Sequence, residues 1–225
     1  MTDNNENQEL SSVKETKSNF NLLKELWEWF YTIAIALLVV ILIKGYIFDI
    51  VRVDGPSMNP TLIHNDRLVI TKLNYKPEAG DIVILDSSYT DREEYFEKYE
   101  EKNGKELNRL AKTFKYFSLP QELKHRYYVK RVIGMPGDSI DIKKGRVLVN
   151  GKEIEEPYLD TVTYITDYSV TYPVIVKENH VFVMGDNRSN STDSRSSSLG
   201  QVPMEALMGK SQLRIWPFNA IGKTE

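Results

Sequence analysis

DSIDIKKGRVLVNGKEI, residues 138–154, decides the fold class. Short runs of β-formers are joined by two dipeptides, Lys144-Gly145 and Asn150-Gly151, of the kind that close tight hairpins. Successive antiparallel strands are the reading. The pattern continues on both sides. RLVITKL, DIVILD, YYVKRVIG, TYPVIV, HVFVMG and LRIWPF are rich in Val, Ile, Tyr and Phe, and turn residues separate them (Pro77 and Gly80, Gly134 to Asp138, Gly185-Asp186-Asn187). No helices alternate with these strands, so a parallel α/β sheet is not expected. The expectation is a mainly β, antiparallel domain over residues 49–225, with a smaller β cap at about 139–180.

One segment departs from that pattern. Residues 90–120, TDREEYFEKYEEKNGKELNRLAKTFKYFSLP, predict a helical hairpin inserted between two strands. Asp91 and Glu94 have the spacing of a capping box, and Asn103-Gly104 interrupts the helix. Leu107, Leu110, Ala111 and Phe114 then recur at helical spacing until Pro120 ends the run. Two readings stay open: a solvated lid without chemistry, or a surface whose Tyr and Phe side chains rest on lipid or a partner.

At the other end, residues 1–26 are polar and rich in Asn, Glu and Ser, the composition of a disordered tail. They lead into LWEWFYTIAIALLVVILIKGYIFDI, residues 26–50. Residues 27–48 are long enough to span a bilayer, with Trp27, Trp29 and Tyr46 at the edges where interfacial aromatics sit. The run has no polar face, unlike a core helix. It also lacks the small residues of a cleavage site, which leaves an uncleaved, single-pass signal anchor. Lys14, Lys17 and Lys24 place the N-terminus on the cytoplasmic side and the bulk of the chain outside, although Lys44 and Arg52 follow the span.

Composition narrows the chemistry. The 225 residues contain no cysteine, which excludes disulfides, thiolate zinc and a cysteine nucleophile. The three histidines, His64, His125 and His180, lack metal-ligand spacing, so neither a metal nor another cofactor is expected. A net charge of −3 with interspersed signs gives no nucleic-acid footprint.

Just beyond the span lies VRVDGPSMNPTL, residues 51–62, with Ser57 held between Gly55-Pro56 and Met58-Asn59-Pro60. A serine hydroxyl is inert until a base takes its proton. None of the three histidines has the setting of such a base. In YYVKRVIGMPGD, alternation puts Lys130 and Arg131 on opposite faces, so one of the two points inward. A free lysine near pKa 10.4 is neutral only about four times in ten thousand at pH 7, and burial is what lowers that value. The alternative is a lysine whose stem packs on the sheet while its ammonium reaches water. A third feature, VFVMGDNRSNSTDSR (residues 181–195), is a strand running into a loop with hydroxyls and an Asp193–Arg195 pair able to brace a lysine.

SMNPTL, GDIVIL, YVKRVIGMPGD and GDNRSNSTDSR, in this order and with RIWPFNAIG after them, resemble the successive motifs of the type I signal peptidases. These are membrane-bound Ser-Lys proteases that remove signal peptides from secretory precursors. The resemblance covers residues 27–222 apart from the insert. It implies Ser57 as nucleophile, Lys130 as the base and later the acid, Ser191 as a hydrogen-bond partner of the lysine, and Asp193 and Arg195 as support for the loop. It implies apolar substrate pockets at Val51, Val53, Met58, Leu62 and Val129, cleavage after small residues, and an extended substrate between VRVDG and YYVKR. It implies the Ser57 backbone N–H as the oxyanion donor; some members add a serine hydroxyl two residues earlier, where this chain has Gly55. Ser57 follows Phe48 by nine residues, so it stands at most about 30 Å along the chain from the membrane edge. Two alternatives remain beside this reading. One is a self-cleaving repressor-type Ser-Lys protein, and the other a membrane-anchored β module that binds peptides without turnover.

Overall fold

The computed structural model describes residues 3–73 and 75–224, with side chains from Lys24 onward. It divides into two units, residues 1–47 and 48–225, each taken here by itself.

The first is one helix, α1 (Asp3–Tyr46). Lys24–Tyr46 has the length and hydropathy to cross a membrane, and no side chain in it is buried by protein. Two expectations change. The tail over residues 1–26 was expected to lack structure, whereas the backbone is helical from residue 3; no Pro or Gly occurs between residues 3 and 44 to break a helix propagating from the apolar run. The span was expected to reach Phe48, but the helix ends at Tyr46. Phe48 instead opens strand β1 (Phe48–Arg52), opposite Thr71 of β2 (Arg67–Thr71).

The second unit is mainly antiparallel β. Its further strands are β3 (Ile82–Asp86), β4 (Tyr127–Gly134), β5 (Ser139–Lys143), β6 (Arg146–Val149), β7 (Lys152–Glu153), β8 (Val174–Ile175), β9 (His180–Met184), β10 (Val202–Pro203), β11 (Leu207–Trp216) and β12 (Gly222–Lys223). The larger sheet runs β1-β2-β11-β3-β4-β9-β10, with β12 on β11; the smaller runs β7-β6-β5-β8. The opening stretch forms β5, β6 and β7 as read. Lys144-Gly145 and Asn150-Gly151 all have positive φ, 52°/79° and 54°/77°, the geometry of a type I′ hairpin turn.

Side-chain alternation loads both faces of the central strands. On β9, Val181 and Val183 join Val83, Leu85 and Val132 in one apolar cluster. Phe182 and Met184 join Ile133, Ile140 and Val147 in another, which fastens the small sheet to the large one. A third cluster, Val53, Met58, Leu62, Leu68 and Ile82, lies beneath the Ser57 turn.

The insert is α2 (Tyr89–Asn103) and α3 (Arg109–Phe117). Helix α2 begins one turn earlier than the capping-box reading: its N-cap is Ser88, without a side-chain bond, and Asp91 lies inside the first turn. The start is fixed from below. Asp86, at the end of β3, accepts from Ser88 N–H, from Arg92 Nη2 at 2.6 Å, and contacts His125 Nδ1 at 2.6 Å. Burial pushes the Asp86 carboxyl up, but the Arg92 and His125 contacts outweigh it and hold the carboxyl below its usual range. Gly104 ends α2 in the left-handed conformation, and Asn108 caps α3 by accepting from Ala111 N–H, as the Asn103-Gly104 break led one to expect.

Arg188, after β9, is fully buried and ties the loop between β7 and β8 to the loop that follows β9. Its guanidinium contacts Glu156, Thr163 and the Gly185 carbonyl. Arg188→Ala strands the Glu156 carboxylate, itself nearly buried, without a cation. The expected loss is about 3–5 kcal/mol. Thermal unfolding of the full chain in detergent tests this, and an unchanged midpoint contradicts the assignment.

Candidate active site

The Ser57 turn is held from two sides. Asn59 N–H donates to Pro56 O at 3.0 Å, closing a turn with Ser57 and Met58 at its centre. Asn187 then clamps the serine from the opposite loop: its backbone N–H donates to Ser57 O at 3.1 Å and its Nδ2 to Pro56 O at 3.1 Å. With its carbonyl so fixed, the Ser57 N–H is left without an acceptor among the described residues.

Lys130 reaches this serine from β4. Register pairing sets Val83 opposite Lys130 and Ile84 opposite Val129, so Lys130 is carried by a strand whose neighbours are apolar. Its Nζ lies 2.9 Å from Ser57 Oγ and 3.0 Å from the Val129 carbonyl, with the Tyr128 ring 5.0 Å away. The side chain is 3% exposed. Burial drives its pKa down from 10.5 to about 8; Asp193 and Asp186 oppose the shift and Arg195 assists it. At pH 7 the neutral fraction is then roughly one tenth, more than a hundredfold above a free lysine.

Alternation put Lys130 and Arg131 on opposite faces, with one of the two pointing inward. Both are in fact buried, because the second face of β4 is also covered. Arg131 makes a two-pronged pair with Asp186 (2.9 and 2.7 Å), donates to Gly80 O and lies 3.9 Å from the Tyr158 ring. Thr61, from the Ser57 segment, donates to the same Asp186.

Asp193 and Arg195 meet as the sequence suggested. Both are fully buried, joined by two bonds of 2.9 and 2.8 Å, and Asp193 also accepts from Gly185 N–H. Ser191 differs from expectation. It is half-buried, with its Oγ enclosed and, like the Ser57 carbonyl, close against Gly185; that Oγ has no partner among the described residues, and Lys130 bonds to Ser57 and Val129 instead.

A cleft of about 260 Å³ opens in front of the dyad, lined by Val51, Arg52, Val53, Asp54, Ser57, Ile84, Tyr127, Tyr128, Val129 and Lys130. Val51, Val53 and Val129 are therefore on its wall as expected. Met58 and Leu62 are not: each is 1% exposed, packed in the apolar cluster behind the wall, where they support it. Three strands separate β1 from β4 in the sheet, yet both line one cleft, so the sheet curls until its edge faces its middle. Among the described residues no strand pairs with β1 besides β2, and β9 does not reach the first half of β4, which leaves room between the two for an added strand.

The histidines are engaged elsewhere: His64 with Asp54 and Gly55 N–H, His125 with Asp86, His180 with Glu178 O. Among the described residues no cluster of metal-ligating side chains occurs. Asn187 and Gly185 were missed as site residues, although both lie in the motif that drew attention to Ser191. A Cβ on Gly185 sits 2.2 Å from Ser191 Oγ and 2.4 Å from Ser57 O, so only glycine lets the two loops touch.

The family model described as signal peptidase, peptidase S26, matches residues 26–216. Signal peptidase I of Bacillus licheniformis is 35% identical over 225 residues, covering 95% of this chain and 100% of the relative. Signal peptidase I S of Bacillus subtilis is 34% identical over 219 residues, covering 92% and 97%. A crystal structure of a signal peptidase I from Enterococcus faecalis aligns over 60% of this chain and 97% of its own, with a TM-score of 0.40 at 22% identity.

Two outcomes follow from the geometry. Gly185→Ala pushes the Ser57 carbonyl off its Asn187 clamp, with an expected loss of about a hundredfold in kcat, the scale of an ångström misplacement; steady-state kinetics that match wild type contradict the clamp. Lys130 is depressed in the folded state, so the active neutral form grows as pH rises. The logarithm of kcat/KM should climb with pH and level off near the lysine value of about 8. A profile that levels below pH 7 points to a histidine base instead.

Proposed function

This chain belongs to the signal peptidase family, peptidase S26, and from that membership we propose a reaction built on the Ser57–Lys130 pair in which signal peptides are cut from secretory precursors. The enzyme is a serine endopeptidase. The observation that carries the assignment of residues is the 2.9 Å contact between Lys130 Nζ and Ser57 Oγ, buried yet open to a cleft.

Neutral Lys130 accepts the Ser57 proton as Oγ attacks the scissile carbonyl. The oxyanion forms against the Ser57 N–H, which is free to donate to it. Collapse breaks the C–N bond, Lys130 protonates the departing amine, and water then hydrolyses the acyl-enzyme with Lys130 again as base. Ser191 takes the ammonium while it is charged, and the Asp193–Arg195 pair holds that loop in place. No metal or cofactor enters these steps.

The precursor lies extended between β1 and β4, and Val51, Val53 and Val129, shored up by Met58 and Leu62, present shallow apolar pockets suited to small side chains. Helix α1 anchors the chain as a single span between a cytoplasmic N-terminus and an extracytoplasmic catalytic domain, a reading supported by Lys14, Lys17 and Lys24. A substrate threaded through the same bilayer then meets the site near the membrane surface.

The competing reading, a peptide-binding module without turnover, predicts capture but no product. Cleavage of a purified secretory precursor in detergent, read by product mass, separates the two. Wild type should release a mature chain cut after a small residue, and Lys130→Ala should lose at least about a thousandfold. Efficient cleavage by Lys130→Ala rejects the lysine as base, and an intact precursor with wild type favours the binding module.

A further inference from the structure

Helix α3 is inside out. A surface helix ordinarily turns its apolar stripe to the protein and its charges to water. Here the side chains facing the protein are polar: Lys112 Nζ pairs with Glu93 at 2.9 Å, Lys115 Nζ lies 4.1 Å from the Tyr99 ring centroid, and the Tyr116 ring is 4.8 Å from that of His125. The outward face carries Leu110, Phe114 and Phe117, exposed by 71%, 76% and 74%. Spacing of four and three residues sets them on one continuous stripe. No residue of α3 is buried at all.

We propose that the Leu110–Phe114–Phe117 stripe docks on the surface of the bilayer, as a second membrane contact besides α1. The inference rests on α1 being a span, as read above. Two features select lipid over a protein partner. The first is area: one Leu and two Phe side chains offer about 400 Å², roughly half of what each side of a standard protein–protein interface buries. A chain already tethered to a bilayer needs no such area, because its effective concentration at that surface is high. The second is charge. Helix α3 carries no acid, its Lys112 and Lys115 are turned to the protein, and exposed Arg109 borders the stripe, placed to meet anionic headgroups while apolar side chains enter the acyl boundary.

The docked helix connects to the substrate cleft. Tyr116 of α3 packs on His125, and His125 stacks at 5.6 Å on Tyr127, which lines the cleft wall. Contact at α3 thereby sets how the cleft is presented to a precursor leaving the bilayer.

The chain has no cysteine, so single labels can be placed in the full-length protein. Nitroxides at Thr113→Cys, Glu97→Cys and Ile35→Cys are read by oxygen and nickel-chelate collision in nanodiscs of phosphatidylcholine and phosphatidylglycerol at three to one. Thr113 borders the stripe, Glu97 is an exposed position on α2, and Ile35 lies mid-span. The label at 113 should shift toward oxygen, as at 35, while the label at 97 stays accessible to nickel. A label at 113 that tracks 97 while 35 remains in lipid overturns the docking and leaves the span intact. A label at 113 immobilised and shielded from both collision partners assigns the stripe to a protein instead, and overturns it too. Nickel access at 35 removes the span, and the docking falls with it.

Discussion

Everything at the site depends on keeping one ammonium away from water. Moving Lys130 from 10.5 to about 8 costs the folded chain roughly 3 kcal/mol at neutral pH, a sizeable part of a typical domain's stability. That cost is borne by packing. Lys130 leaves a central strand, its neighbours Val129, Val132 and Ile133 are apolar, and the turn carrying Ser57 closes over it. The carboxylates nearest the lysine work against the shift, and each is held by an arginine: Asp193 by Arg195, Asp186 by Arg131. Without those arginines two buried carboxylates would pull the lysine back toward its charged form. The ion pairs therefore matter less as stabilisers than as a means of silencing charge beside the proposed base.

The same pairs fix position. Arg131, next to the base in sequence, points the other way and grips Asp186, which also accepts from Thr61 in the nucleophile's own segment. The β9 loop thus bonds to β4 through Asp186 and to the Ser57 turn through Asn187. Three stretches far apart in sequence meet in one small volume. Buried pairs of this kind break even at best in stability, yet they allow few alternative geometries, and the 2.9 Å contact between Lys130 and Ser57 depends on that constraint.

Local signals carried much of this. Type I′ dipeptides gave the hairpins of the small sheet, alternating Val and Ile gave most of the large one, and the Asn103-Gly104 break gave the insert its two helices. Strand β11 was read only from Leu213, although it begins at Leu207, because its register shifts and its Gly, Lys, Ser and Gln hide the alternation. Ser57 and Lys130, and Asp193 and Arg195, which meet in the structure, drew attention in the sequence because their motifs stand in order along the chain. Met58 and Leu62 were misplaced because an apolar side chain behind a wall and one on it look alike in sequence. Asn187 and Gly185 act through the carbonyl of Ser57, a contact across more than a hundred residues that no spacing encodes. The curl that turns β1 toward β4 arises from the whole sheet, so no local pattern carries it; only the resemblance, which sets a substrate between VRVDG and YYVKR, implied it.

Gly55 shows how conformation and chemistry trade at this site. Its φ is 96°, a region L side chains rarely adopt, while a Cβ built there meets nothing within 4 Å. Space does not demand the glycine; the backbone does. The chain arrives from β1, makes its exit through this residue, and enters the Pro56 turn that presents Ser57. A serine in its place would supply a second hydroxyl near the oxyanion only by straining the turn that aims the nucleophile. With no side chain at residue 55, the oxyanion donor proposed above is the Ser57 N–H alone, and its aim depends on whatever fixes that peptide plane. Asn187 does so, by holding the carbonyls of Pro56 and Ser57 on either side of it. The left-handed turn at residue 55 and the clamp at residue 187 together hold that peptide plane.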